Sequence, residues 1–195
     1  MYERVREDLS LGPIHGEIEH GPFAHPYMKA IYKKFGRAAF GRNSSCMEFN
    51  HFLQSINPSG KVCLEIGTFH GITAALLSQY FDKVISISVD VDPEKLLKDK
   101  IIKHLGIGNV VFYDVRNNDE KKAIIDKLEF DFCYMDGNHA RDTKDDFALV
   151  GRCGRVLFHE YWPLQPPVWN LVNSLPPDEV RKAQFDCFAY WQCAT

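Results

Sequence analysis

The sequence lacks a long apolar run: no window approaches the roughly 18 uninterrupted apolar residues that a membrane-spanning helix needs. Its polar start, MYERVREDLS, also lacks the charged, then apolar, then small-residue order of a signal peptide. We therefore expect a cytoplasmic protein with no membrane partner.

Closely spaced cysteine pairs are missing as well. The six cysteines include no CxxC pair, the spacing typical of zinc sites and thiol redox motifs. Cys63 and Cys133 fall inside apolar, strand-like segments, which favours buried thiols over disulfide partners.

Neither sign of charge dominates, since 26 acidic and 23 basic side chains give a net charge of −3. Nucleic-acid-binding domains usually carry a strong basic footprint, so the composition argues against a nucleic-acid partner. A local basic group formed by Lys33, Lys34, Arg37 and Arg42 is more typical of a solvated helix face.

What the sequence does contain is an alternation of strand and helix patterns. Short apolar or alternating segments predict buried strands, and helical spacing follows each of them. The predicted strands cover residues 61–67, 83–90, 109–115, 130–136 and 154–160. This order predicts an α/β fold, a doubly wound, Rossmann-like, mostly parallel sheet. The tail, 180–194, predicts two antiparallel strands joined near Asp186, so the C-terminal strand is expected to be antiparallel.

The first 58 residues lack this alternation. Helical patterns at 25–36 and 44–56 predict an N-terminal helical extension, or cap, over the sheet or the mouth of its site. Residues 59–195 then form the α/β domain, and the total length suits one compact unit. After the second strand, Asp92 and Pro93 predict a helix start.

The first strand ends in a glycine-spaced turn, G-T-F-H-G, at residues 67–71. Gly67 and Gly71 permit a sharp turn and a closely packed helix. A dinucleotide site instead needs G-x-G-x-x-G, with a bare middle position for the pyrophosphate. Because the bulk of Phe69 obstructs that approach, NAD and FAD are disfavoured, and a nicotinamide-dependent oxidoreductase stays only as an alternative.

The run from Glu65 to Gly71 resembles the first motif of the class I S-adenosylmethionine-dependent methyltransferases, an acidic residue followed by a glycine-spaced turn. The resemblance implies S-adenosylmethionine as cofactor. It also assigns a set of cofactor-binding residues, which comprises Glu65, Gly67, Thr68, Phe69, Gly71, Thr73, Asp90, Val91, Asp114, Val115 and Asp136.

Two acids in this set have specific roles in the family. Asp90 matches the acid that holds the ribose hydroxyls, with Asp92 as the alternative, because the end of a strand is hard to locate to one residue. Asp114 matches a position that often contacts the adenine amino group, and helix capping or solvation is the other explanation for it.

A second segment resembles a subgroup of this family with an Asp-Gly-x-His segment after strand four and a His-Asp-like pair after strand five. Here these are Asp136, Gly137 and His139, then His159 and Glu160, so that Glu stands where the subgroup often has Asp. The expected catalytic residues are His139 and Asp136. His139 is the expected base for the acceptor's proton, because imidazole titrates near neutrality, although it also suits a helix cap. A divalent cation such as Mg²⁺, held by Asp136 and Glu160, is a further expectation.

The expected reaction is therefore methyl transfer to a hydroxyl of a small molecule or glycan. No N/D-P-P-Y/F or Pro-Cys segment follows strand four, which argues against enzymes that methylate amino groups of DNA or protein glutamine, and against cytosine C5 chemistry. A catalytically inactive cofactor-binding module stays an alternative. The acceptor, the metal and self-association as a homo-oligomer are left open.

Overall fold

The computed structural model describes residues 25–40, 46–89, 96–138, 142–182 and 187–194. Within these ranges, the strands form one sheet. In chain order they are β1 (Gly60–Ile66), β2 (Phe81–Val89), β3 (Val110–Val115), β4 (Phe132–Met135), β5 (Arg155–Phe158), β6 (Val180–Lys182) and β7 (Ala189–Gln192).

The spatial order of the strands is β3-β2-β1-β4-β5-β7-β6. The strands from β3 to β5 pair in parallel, whereas β7 runs antiparallel to both β5 and β6. The predicted α/β class, with a mostly parallel sheet and an antiparallel C-terminal strand, is confirmed. The junction predicted near Asp186 lies outside the described residues.

Helices cover both faces of the sheet. They are α1 (Pro26–Phe35), α2 (Cys46–Ile56), α3 (Ile72–Leu77), α4 (Lys98–Leu105), α5 (Asn118–Ile125), α6 (Thr143–Val150) and α7 (Pro166–Asn173). None of those within the described ranges has the length and apolar character that crossing a bilayer requires.

Each face of the sheet has its own hydrophobic cluster. Helices α1 to α4 pack against one face, where Ile31 of α1 and Leu53 of α2 share a cluster with Cys63 of β1. Helices α5 to α7 cover the other face, where Ile125 and Val168 share a cluster with Leu64. Leu64 follows Cys63 in β1, and successive strand residues point to opposite faces. Helices α1 and α2 thus belong to the same core as the sheet, and a division at residue 58 stays a prediction. Cys63 and Cys133 are buried free thiols, as predicted.

Helix α4 begins later than the sequence predicts. Leu96 and Leu97 are not helical, and the helix starts at Lys98, so a helix that begins at Pro93 and continues into α4 is wrong. The Leu97 amide donates to Nδ1 of His70 at 3.2 Å, which ties this residue to the turn after β1. Asp92 and Pro93 themselves lie outside the described residues.

Helix α6 begins a few residues after His139, the residue that suits a helix cap. Its first residue is Thr143, and a 3₁₀ turn at Gly151–Cys153 follows its end. His139 lies outside the described residues, so its expected roles as helix cap and as base stay predictions.

The amino ends of β1, β4 and β5 are held together by Arg155. Its guanidinium donates to the Ser59 carbonyl at 2.8 Å, and to the carbonyl and carboxylate of Asp131 at 2.8 and 3.1 Å. The other Asp131 oxygen accepts the Lys61 amide at 2.8 Å. This network lies at the sheet edge opposite the carboxyl ends of the parallel strands.

We expect Arg155→Met to lower the free energy of unfolding by about 1 to 3 kcal/mol, because three carbonyl or carboxylate acceptors lose a charged donor. Chemical denaturation measures this loss. Arg116→Met, which removes an ion pair between an exposed arginine before α5 and Glu120 of that helix, should change stability little. Equal stability of the Arg155 variant and the natural protein would contradict a clamping role for this network.

Candidate functional site

Buried polar side chains gather at the carboxyl ends of β1 and β2. Glu65, Thr68, Ser86 and Ser88 are each 3% exposed or less. Ligands of parallel sheets bind beyond these strand ends, so the cluster lies at the edge that the fold makes available for a ligand.

The two glycines of the turn are required by the packing of the chain. Gly67 has φ 95°, and a Cβ placed there would lie 2.1 Å from the carbonyl oxygen of Asp136. Gly71 has φ 77°, and its Cβ would lie 2.9 Å from Cβ of Lys98. No larger residue fits either position without moving the backbone. The glycine spacing is therefore explained before any ligand is considered.

Phe69 lies in the left-handed backbone region, with φ 44°, and its side chain is 58% exposed. A non-glycine residue in this conformation costs on the order of 1 kcal/mol or more, and such strain concentrates at functional sites. The Phe69 ring contacts the ring of His70, at a centroid distance of 4.0 Å. A strained aromatic residue thus stands on the open side of the turn.

Glu65 lies beneath the turn. Its buried carboxyl group accepts hydrogen bonds from the hydroxyls of Thr73 and Ser86, and Ser86 is also hydrogen bonded to Thr68 at 2.6 Å. The network links β1, β2, the turn and the start of α3. Burial raises the pKa of Glu65 to about 8, although both hydroxyl hydrogen bonds oppose the rise.

The structure brings together the predicted cofactor residues of the first strand and turn, namely Glu65, Gly67, Thr68, Phe69, Gly71 and Thr73. Asp114, at the end of β3, lies on the same face of the sheet as Glu65, whereas Val115 packs in the opposite cluster. Asp90 and Val91 lie outside the described residues. The cofactor contacts of the whole set stay predictions.

Lys98 is a site residue that the sequence analysis missed. It is buried, and its ammonium group forms an ion pair with Asp114. The sequence does indicate that Lys98 is buried, because residues 98, 101, 102 and 105 have the spacing of one helix face. A lysine on the buried face of a helix requires an anionic partner.

Asp136, directly after β4, contacts the side chains of Tyr134 and His159. One carboxylate oxygen accepts the Tyr134 hydroxyl at 3.1 Å, and the other forms a hydrogen bond with Nδ1 of His159. The His159 ring stacks on Phe188, with 5.1 Å between centroids. The next residue, Glu160, is strained at φ 55°. The structure thus places Asp136 against His159, whereas its expected companion His139 lies outside the described residues.

The register of the sheet explains the Asp136–His159 pair. Met135 of β4 lies opposite Phe158 of β5, so the residues that follow them emerge side by side. Burial disfavours the charged form of His159 and so lowers its pKa. The negative charge of Asp136 and its hydrogen bond to the ring act against burial, and the pKa of His159 lies well above its usual range. A hydrogen bond between the ring and the Cys187 side chain acts in the same direction.

Both carboxylate oxygens of Asp136 accept hydrogen bonds from protein groups, Tyr134 and His159. A cation held jointly with Glu160 would have to share these oxygens with the two contacts. Within the described part of the chain, no group of three or more His, Cys, Asp or Glu side chains is placed to hold a metal ion.

A small pocket lies between the β4–α6 connection and β5. Its lining includes Gly137, Asn138, Asp146, His159 and Val168. Tyr161, one of the aromatic residues downstream of β5, stacks on Trp169 at 4.7 Å and belongs to the second hydrophobic cluster.

Solved structures share this fold. An O-methyltransferase from Bacillus cereus, in complex with S-adenosylhomocysteine (SAH), superimposes with TM-score 0.60 at 12% identity over 99% of this chain and 100% of that chain. The O-methyltransferase TomG from Streptomyces achromogenes, in complex with S-adenosylmethionine, gives 0.59 at 12% identity over 99% and 96%. An SAH-bound methyltransferase from Podospora anserina gives 0.57 at 15% identity over 98% and 95%.

At these identities the likeness demonstrates a shared fold. No protein-family model matches the chain, and no curated protein matches it in sequence.

Glu65 should make stability depend on pH. Its pKa is about 8 in the folded protein against the ordinary 4.5, so the native state binds the proton more tightly than the unfolded chain. The free energy of unfolding should then fall as pH rises from about 4.5 to 8, by at most about 1.4 kcal/mol per pH unit.

We expect Glu65→Gln to remove this part of the slope, because an amide does not titrate. Denaturant unfolding at several pH values measures the slope, and the exposed Glu129→Gln is the matched control. Identical slopes for Glu65→Gln and the natural protein would show that Glu65 is ionised throughout.

Proposed function

We propose that this protein transfers a methyl group from S-adenosylmethionine to a hydroxyl of a small molecule. One observation supports this most directly: the turn from Gly67 to Gly71 lies against the backbone of Asp136, which holds His159 at the next strand. A candidate cofactor turn and a candidate proton acceptor are thus neighbours at one edge of the sheet. Cofactor complexes of proteins with this fold support the assignment.

The residues present fit such a cofactor. The turn offers exposed backbone and the Phe69 ring, and Ser88 at the end of β2 has a buried hydroxyl without a hydrogen-bond partner among the described residues. Asp90, or Asp92, would hold the ribose. When bound, S-adenosylmethionine supplies a methyl group on a sulfonium that a nucleophilic oxygen can displace.

The Asp136–His159 pair is the proposed proton acceptor. In-line methyl transfer needs alignment and, for a hydroxyl, the removal of its proton. Asp136 fixes the imidazole and stabilises the ring once it is charged. His139, beyond the described residues, is the competing candidate for this role.

Other parts of the assignment stay predictions. They are membership of the subgroup with the Asp-Gly-x-His segment, a glycan acceptor, self-association and a cytoplasmic location. A divalent cation at Asp136 and Glu160 also stays a prediction, and the hydrogen bonds that Asp136 already makes do not favour it.

We expect SAH to raise the melting temperature by several degrees, whereas NAD and NADP at the same concentrations give no shift, because Phe69 crowds the approach of a diphosphate. Thermal melting with calorimetric titration measures this. A dose-dependent NAD shift that equals or exceeds that of SAH would favour the oxidoreductase alternative. SAH binding without turnover of any hydroxyl compound would favour the inactive module.

We expect His159→Gln to lower turnover by roughly 10² to 10⁴ while SAH affinity is nearly unchanged. The assay first needs an acceptor, found by screening hydroxyl compounds for SAH release. Because only the neutral ring accepts a proton, and the pKa of His159 is raised, turnover of the natural protein should increase with pH.

Two further variants locate the base. Asp136→Asn should move the pH profile to lower pH, since it removes the charge that raises the pKa of His159. His104→Gln, an exposed histidine on α4, serves as the control. Loss of turnover in His139→Ala, with full turnover in His159→Gln, would assign the proton to His139 instead.

A further inference from the structure

We propose that Lys98 is a positioning residue that orients Asp114 towards the amino group of the adenine ring, and so determines which base the cofactor site accepts. This inference rests on the proposed function. It adds a residue that lies outside the glycine turn and outside the strand ends from which the cofactor residues were predicted.

The ion pair between Lys98 and Asp114 is asymmetric in exposure. The Lys98 side chain is 2% exposed and that of Asp114 is 30% exposed. The lysine ammonium also lies over the Phe112 ring, 5.1 Å from its centroid, a favourable place for a cation. Because the lysine side chain is buried and the carboxylate is partly exposed, only the carboxylate is accessible at the carboxyl ends of the strands. Lys98 therefore acts through Asp114.

The start of α4 is fixed to the candidate cofactor turn by two contacts. Lys98 packs closely on Gly71: a Cβ atom placed at residue 71 would lie 2.9 Å from the Cβ atom of Lys98. The preceding residue, Leu97, donates its amide to His70 at 3.2 Å. The ion pair thus connects the turn after β1 with the end of β3, across the carboxyl end of β2.

The neighbouring strand end has a polar group that the described residues do not use. Ser88 of β2 lies opposite Asp114 in the parallel register. Its hydroxyl is buried without a hydrogen-bond partner among the described residues. Buried polar groups are normally paired, so a ligand with hydrogen-bonding groups suits the junction of β2 and β3.

The chemistry of the carboxylate determines the preferred base. An ionised Asp114 only accepts hydrogen bonds, and the six-amino group of adenine donates them. In hypoxanthine, an oxygen replaces that amino group, so two acceptors would face each other. With its partner Lys98 removed, the carboxylate loses the contact that holds it in place, and discrimination between the two bases should fall.

Calorimetric titration with SAH and with S-inosylhomocysteine, its six-oxo analogue, tests the proposal without an acceptor. We expect the natural protein to prefer SAH by about tenfold or more, the effect of one hydrogen bond to a charged group. Lys98→Met should reduce this preference to about threefold or less. Lys121→Met is the matched control, because it removes a buried lysine paired with Asp146 between α5 and α6 and should leave the preference intact.

The outcomes separate the two proposals. If the natural protein binds neither compound, the proposed function fails and this inference fails with it. If it binds both equally, or if Lys98→Met keeps the full preference, only the role of Lys98 is overturned. Should Lys98→Met not melt cooperatively, Asp114→Asn replaces it. That variant keeps the lysine and turns one oxygen into a donor, so a retained preference would again overturn the proposal.

Discussion

The close approach of the turn after β1 to the end of β4 is the constraint on which the candidate site depends. The Asp136 amide donates to the Ile66 carbonyl at 2.8 Å, and the carbonyl of Asp136 occupies the space that a side chain at residue 67 would need. This contact fixes Asp136 beside the turn. The register of β4 with β5 then brings His159 to the same place, so that one backbone contact joins the candidate cofactor turn to the candidate proton acceptor.

Three acids at the ends of β1, β3 and β4 are stabilised in three different ways. Glu65 is buried among hydroxyls, with a raised pKa that favours the neutral acid. Asp114 has a lysine partner, and Asp136 has a histidine and a tyrosine. Glu65 lies deepest and has no cationic partner within the described ranges, and the cost of burying an unpaired charge explains why it favours the neutral form. The two acids with cationic partners stay partly exposed, at 30% and 25%, and are available to a ligand.

The fold was predictable because the alternation of strands and helices is a local property of the sequence. The set of acids at the strand ends was predictable for the same reason. The partners of these acids were not. The Asp136–His159 pair depends on the register of two strands that are more than 20 residues apart, and the start of α4 depends on a contact from Leu97 to His70 in a different turn. Lys98 could have been found, since it falls on a face with Ile101 and Ile102.

The glycine spacing, the most recognisable feature of the sequence, does not by itself select a ligand. Gly67 and Gly71 are both required by contacts inside the chain, so the same spacing would be needed whichever small molecule bound there. Discrimination must come from the residues around the turn. In the proposals made above, Phe69 would restrict the approach of a diphosphate, Asp114 would accept a hydrogen bond from the base, and the Asp136–His159 pair would remove a proton. The functional assignment therefore depends on side chains at the carboxyl ends of β1, β3, β4 and β5, and the glycine turn provides the space between them.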